Sequence, residues 1–94
     1  MAYCLYIMAS GPKGTLYTGV TSDLSLRVSQ HKTGEFGGFT SRYHVSRLVY
    51  VEEFAHIEDA ILAEKRIKRW RRTWKIELIE KTNPEWKDLA TTYL

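Results

Sequence analysis

Hydrophobic and polar positions alternate along this chain in a few separable regimes. "AYCLYIMA" (Ala2 to Ala9) is a nearly continuous apolar run that stops at the turn-forming "SGPKG". "TLYTGV" follows at once, and so short a connection leaves only a β-hairpin. With a four-residue loop over Gly11 to Gly14, Ser10 pairs with Thr15, Met8 with Tyr17 and Tyr6 with Gly19. Side chains two apart on a strand, and cross-strand partners, share a face. Tyr6 and Tyr17 then become diagonal neighbours, a relationship that a one-residue slip would destroy.

Beyond the hairpin the period changes. Thr21, Ser22 or Asp23 can cap a helix running to about Lys32, with Gly34 as its stop. "EFGGFTSRYHVS" reads as a Gly- and aromatic-rich loop, and "RLVYVEEF" as a third strand. From Ile57 the apolar positions Ala60, Ala63, Ile67, Trp70 and Trp74 recur at spacings of 3, 4, 3 and 4, the mark of a long helix. A break near Thr73 would begin a second helix, "WKIELIEK", which "NPEW" ends. The predicted class is α+β: a three-stranded antiparallel sheet flanked by helices in the order β-β-α-β-α-α.

Composition narrows the function. The 94 residues (1–94) suit one domain, and 44% hydrophobic content is enough for a core. A lone cysteine, Cys4, excludes an internal disulfide and a cysteine-based zinc site, and reads as a small apolar strand residue in a reducing compartment. The N-terminus lacks the basic region of a signal peptide, and no apolar run approaches the roughly 20 residues that span a bilayer. A cytoplasmic protein with no membrane partner is expected.

The net charge of +3 says less than its placement. "EKRIKRWRRTWK" holds seven Lys or Arg, and Lys65, Arg66, Arg69 and Arg72 point away from the apolar stripe; with Lys68 they are the candidate nucleic-acid-binding cations. Such a face either neutralises phosphates or is simply solvated. Trp70 and Trp74 lie on the stripe, where core packing is favoured over base stacking. Glu64 sits at the stripe's edge, roughly 75° from its centre at about 100° per residue. It is either a salt-bridge partner or a carboxylate aimed into a cleft to hold a hard divalent cation.

Arg27 and His31 stand four apart and so share a helix face. They are either a surface pair, or a phosphate clamp beside a proton carrier. Tyr6 and Tyr17 read first as half-buried strand residues. For either to act as a base at pH 7, its pKa must fall by roughly 3 units, worth about 4 kcal/mol.

In this order the residues resemble the GIY-YIG nuclease family, specifically its small stand-alone bacterial members. "CLY" (Cys4 to Tyr6) stands where the family has GIY, and "YTG" (Tyr17 to Gly19) where it has YIG. "VTSDLSLRVSQHK", "GGFTSRYHVSRLVYVEEF", "AEKRIKRWRR" and "NPEWKDL" follow in the family's order, so the likeness covers almost the whole chain. The resemblance implies hydrolysis of a DNA phosphodiester with one divalent ion, Mg²⁺ or Mn²⁺. Glu64 would be the metal carboxylate, and Arg27 would stabilise the scissile phosphate. Tyr6 and Tyr17 would orient or deprotonate the attacking water, with His31 assisting. On the same analogy Gly19 lets the chain turn sharply after Tyr17, so that the tyrosine faces the arginine.

Val20 occupies a place where several family members carry a water-activating lysine, which shifts that task to Tyr6, Tyr17 or His31. The family's late asparagine corresponds to Asn83, for which a helix-ending Asn-Pro is an adequate structural reason. A lone metal carboxylate argues against a two-metal mechanism. With no appended specificity domain expected, the substrate would be branched or flapped DNA in repair or processing. The alternatives are a nucleic-acid-binding module with little or no cleavage, and a domain whose basic face binds an acidic protein.

Overall fold

The computed structural model describes residues 2–34 and 42–93. It contains strands β1 (Tyr3–Ala9) and β2 (Leu16–Thr21), helix α1 (Leu24–Thr33), strand β3 (Arg47–Phe54), and helices α2 (Ile57–Lys68), α3 (Arg72–Thr82) and α4 (Ala90–Tyr93). The α+β order expected from the pattern is present, and the short α4 follows it. Most of the expected loop, residues 35–41, lies outside the described residues.

The sheet is antiparallel with strand order β2-β1-β3. Tyr6 pairs with Gly19 and Met8 with Tyr17, as the hairpin loop length requires. Ser10 N donates to Thr15 O and Gly14 N to Gly11 O, closing the turn. Between β1 and β3 the register shifts at Ile7/Met8. This bulge gives Leu48, Val49 and Tyr50 two partners on β1, so Val49 and Tyr50 both pack on the same side.

Central strand β1 is covered on both faces, which explains its unbroken apolar run. On one face Leu5, Ile7, Ala9, Val49 and Tyr50 pack with Ala63 and Ile67 of α2, Ile79 of α3 and Trp86. On the other, Tyr6, Met8 and Leu48 pack with Val28 of α1 and Val45. Asp23 caps α1 by accepting from Leu26 N at 3.1 Å, and Gly34 ends it in the left-handed region at φ 76°.

The free edge of β3 is closed by the chain's last segment. Asn83 Nδ2 donates to Val49 O (3.1 Å), Leu89 N to Leu48 O (2.7 Å), and Leu48 N to Asp88 Oδ1 (3.2 Å). These bonds satisfy strand groups that would otherwise be open to pairing with another chain. Asp88 is also bound by Lys32 at 2.6 Å. Burial alone would raise its pKa, but hydrogen bonds from Lys32, Ala90 N and Leu48 N outweigh burial and hold it below the usual carboxylate value.

The single apolar stripe expected from Ala60 to Trp74 is interrupted. Helix α2 ends at Lys68, and Arg71 is extended (φ −61°, ψ 155°), so the helical count restarts at Arg72. Trp70 stays against the core, held by its N–H to Ile67 O at 3.0 Å. Trp74 turns outward and is 48% exposed, contrary to the core role expected for it. No helix among the described residues is long and apolar enough to cross a membrane.

Candidate active site

Strand β1 supplies Tyr6, β2 supplies Tyr17, α1 supplies Arg27 and His31, and α2 supplies Glu64. The antiparallel register makes the two tyrosines diagonal neighbours, with ring centroids 6.3 Å apart. One helical turn past Arg27, buried His31 comes within 5.0 Å of the Tyr17 ring and 5.7 Å of the Tyr6 ring. Tyr6 Oη lies 3.2 Å from His31 Nε2. The three rings therefore form one cluster built from three distant pieces of chain.

Charge surrounds this cluster asymmetrically. Burial pushes the Tyr6 phenol well above its ordinary pKa, Tyr17 adds to the rise, and the nearby Arg27 guanidinium lowers it without offsetting burial. Glu64 also raises it, which puts that carboxylate within electrostatic reach of Tyr6. The lowered phenol pKa that a free tyrosinate base needs is absent at Tyr6. His31 moves the other way: burial, then the Arg27 charge, lower its pKa to about 4, so its ring is neutral at pH 7. In the tautomer with its proton on Nδ1, a neutral imidazole accepts a hydrogen bond from the Tyr6 hydroxyl at Nε2; in the other tautomer it donates to Tyr6 Oη.

Gly19 does not turn the chain. It lies within β2, opposite Tyr6, and a Cβ there would stand 2.7 Å from Tyr6 Oη and 2.8 Å from Cζ. The missing side chain leaves room for the phenol, the usual meaning of a strand glycine where another group approaches closely. The residue signal was present in the sequence, as a glycine opposite an aromatic in the predicted register. Val20 packs partly buried against the first core, so it does not present a side chain to the tyrosines.

Glu64 is 21% exposed at its side chain and pairs with Lys68 at 3.0 Å across one helical turn. No group of three or more His, Cys, Asp or Glu among the described residues is placed to hold a metal ion. A lone, partly buried carboxylate in electrostatic reach of the Tyr6 phenol still fits a hard cation that keeps most of its water, as Mg²⁺ does. Lys68 is 53% exposed and can swing away, since exposed pairs of this kind are worth only about 0.3–0.5 kcal/mol.

The basic face divides into two kinds of cation. Lys65, Arg66 and Arg69 are exposed and make no ion pair among the described residues. Arg72 instead donates through Nη2 to Lys13 O and, at 2.6 Å, to Gly14 O. Its guanidinium ties the hairpin loop to the start of α3 through Nη2. Asn83 is likewise not brought to the tyrosine cluster. It is 4% exposed, donates from Nδ2 to Val49 O and Lys87 O, and accepts from Lys87 N at 2.9 Å.

Comparison with known proteins identifies the family of the chain. The GIY-YIG catalytic domain model matches residues 2–77. A UPF0213 protein of Syntrophus aciditrophicus (strain SB) is 34% identical over 82 residues, covering 86% of this chain and 92% of the relative. Another, from Lacticaseibacillus paracasei, is 32% identical and covers 90% and 94%. The solution NMR structure of the UPF0213 protein BH0048 from Bacillus halodurans superposes with a TM-score of 0.59 at 26% identity, covering 99% and 98%. With its matched motifs carried by the strands and helices that build the tyrosine cluster, the chain belongs to the GIY-YIG family, whose catalytic domain implies a nuclease-type function.

Proposed function

We propose that this protein is a divalent-metal-dependent endonuclease that hydrolyses DNA phosphodiester bonds, selecting branched or flapped DNA by shape, in repair or processing. The observation that carries this reading is the meeting of Tyr6, Tyr17 and His31 with Arg27 and Glu64 in electrostatic reach. Simple binding needs cations; it does not need a phenol hydrogen-bonded to a neutral histidine with a lone carboxylate in electrostatic reach.

Each side chain takes a role its environment permits. Glu64 would hold one Mg²⁺ or Mn²⁺ ion, which when bound acidifies water and offsets phosphate charge. Arg27 clamps the scissile phosphate with its planar fork and stabilises the charge that builds on it. Tyr6 is held as a neutral phenol, so it works as a relay: it accepts the proton of the attacking water as it gives its own to His31 Nε2. Neutral His31 has the lone pair that this step requires, and Tyr6 never has to exist as a free phenolate. Tyr17, whose ring packs on both Tyr6 and His31, would help orient that water. Lys65, Arg66, Arg69 and a displaced Lys68 supply phosphate contacts along the duplex.

The test is cleavage of plasmid, flapped and branched DNA with Mg²⁺ or Mn²⁺, beside EDTA and a Glu64→Gln variant. Cutting by the native protein that is lost with either control is the expected result. A native protein that binds these DNAs without cutting them, and a Glu64→Gln variant that binds equally well, would leave the binding module as the correct reading.

A further inference from the structure

Trp74 is a large apolar side chain left half in water, and its surroundings are organised around it. The Trp70 ring stands edge-on to it, with centroids 6.2 Å apart and planes at 79°. The Arg71 guanidinium lies 5.4 Å from the Trp74 ring centroid. A groove of about 280 Å³ opens beside the two indoles, lined by Trp70, Trp74, Glu77, Leu78 and Lys81. That is just below the roughly 300–1,000 Å³ of ordinary small-molecule pockets, and suits one planar ring system.

We propose that this groove docks one unpaired nucleotide of a nucleic-acid strand, the base stacking in the indole groove and the phosphate meeting Arg71. The proposal rests on the nuclease reading, and names an unpaired strand flanking the cleavage site as part of the substrate. Charge complementarity selects this occupant. Lys81 lines the groove and the Arg71 guanidinium lies over the Trp74 ring, two cations against the single carboxylate of Glu77. Stacking on an indole keeps a guanidinium's fork free for a phosphate, so Arg71 is positioned before the ligand arrives. Glu77 serves as an acceptor for a base N–H edge, a role carboxylates fill in base recognition. Trp70 and Leu78 pack against the core and give the groove a rigid floor. Glu64 stands four positions before the end of α2, on the order of 6 Å along the helix axis, and Trp70 follows two positions after that end.

The test uses a fluorescently labelled single-stranded oligothymidylate and a blunt duplex, each titrated by anisotropy with EDTA present so that no hydrolysis occurs. Trp74→Ala is expected to weaken single-strand binding by roughly tenfold or more while leaving duplex binding unchanged, and Trp74→Tyr to retain most of it. Unchanged single-strand binding in Trp74→Ala, equal losses for both DNAs, or no single-strand binding by the native protein would each overturn the proposal. Circular dichroism of the variants checks that the fold is retained. A native protein that never cuts yet holds single strands through Trp74 defeats the nuclease reading alone. One that cuts while Trp74→Ala binds normally defeats the groove alone.

Discussion

The phenol of Tyr6 fills the volume that a side chain on Gly19, its partner across the strand pair, would occupy. Because β2 is an edge strand, an aromatic over its glycine also restores the packing that the missing side chain forfeits. Gly19→Ala should therefore cost about 1–3 kcal/mol by overpacking and displace Tyr6 from His31. DNA cleavage should fall by more than tenfold. In a Tyr6→Ala background the same alanine should cost far less, a coupling that a double-mutant cycle in urea measures. Additive losses would mean that the two residues do not meet.

His31 gives the fold a distinct acid dependence. Its unfolded pKa is near 6.5 and its folded value is about 4, so between these values the unfolded chain binds the extra proton. The stability tied to neutral His31 is present above about pH 6.5 and drains away as pH falls toward 4. Urea midpoints measured across this window should decline with acid in the native protein and flatten in His31→Gln. NMR titration of a folded-state imidazole near its ordinary pKa would contradict the buried, Arg27-opposed placement.

Asn83 provides a test between analogy and geometry. Its side chain makes three hydrogen bonds that fasten the last segment to β3 and turn the chain after α3. Asn83→Ala strands Val49 O, Lys87 O and Lys87 N, and should destabilise by roughly 2–4 kcal/mol. Cleavage per folded molecule, measured at low temperature, should be unchanged. A cleavage loss without a stability loss would return Asn83 to the catalytic set.

The cations of the basic face should separate in two assays. Arg72→Ala breaks the bonds to Lys13 O and Gly14 O and should cost about 1–2 kcal/mol in thermal unfolding. It should leave the salt dependence of DNA binding as it was. Lys65→Ala and Arg69→Ala should each lower the salt slope by about 1 with stability preserved. The reverse pattern would make Arg72 a phosphate contact and its loop bonds incidental.

What sequence by itself determined here was governed by short-range rules. A four-residue loop and the two-residue strand period dictated that Tyr6 faces Gly19 and sits diagonal to Tyr17. Asp23 and Gly34 bounded α1, and the 3.6-residue period put Arg27 and His31 on one face. The order of these elements, with their motifs, was enough to identify the family.

Tertiary structure decided everything that depends on which distant groups surround a side chain and how much water they leave. Burial among β1, β2 and α1 keeps the Tyr6 phenol protonated and His31 neutral, reversing the simplest acid-base assignment. Docking of the hairpin loop on α3 gave Arg72 its carbonyl partners, and closure of the β3 edge gave Asn83 its own. The break after Lys68 turned Trp74 from the core to solvent. Periodicity reports the angle of a residue on its own helix. It carries no information about where that helix stops, or about the carbonyls and charges that packing brings to meet it.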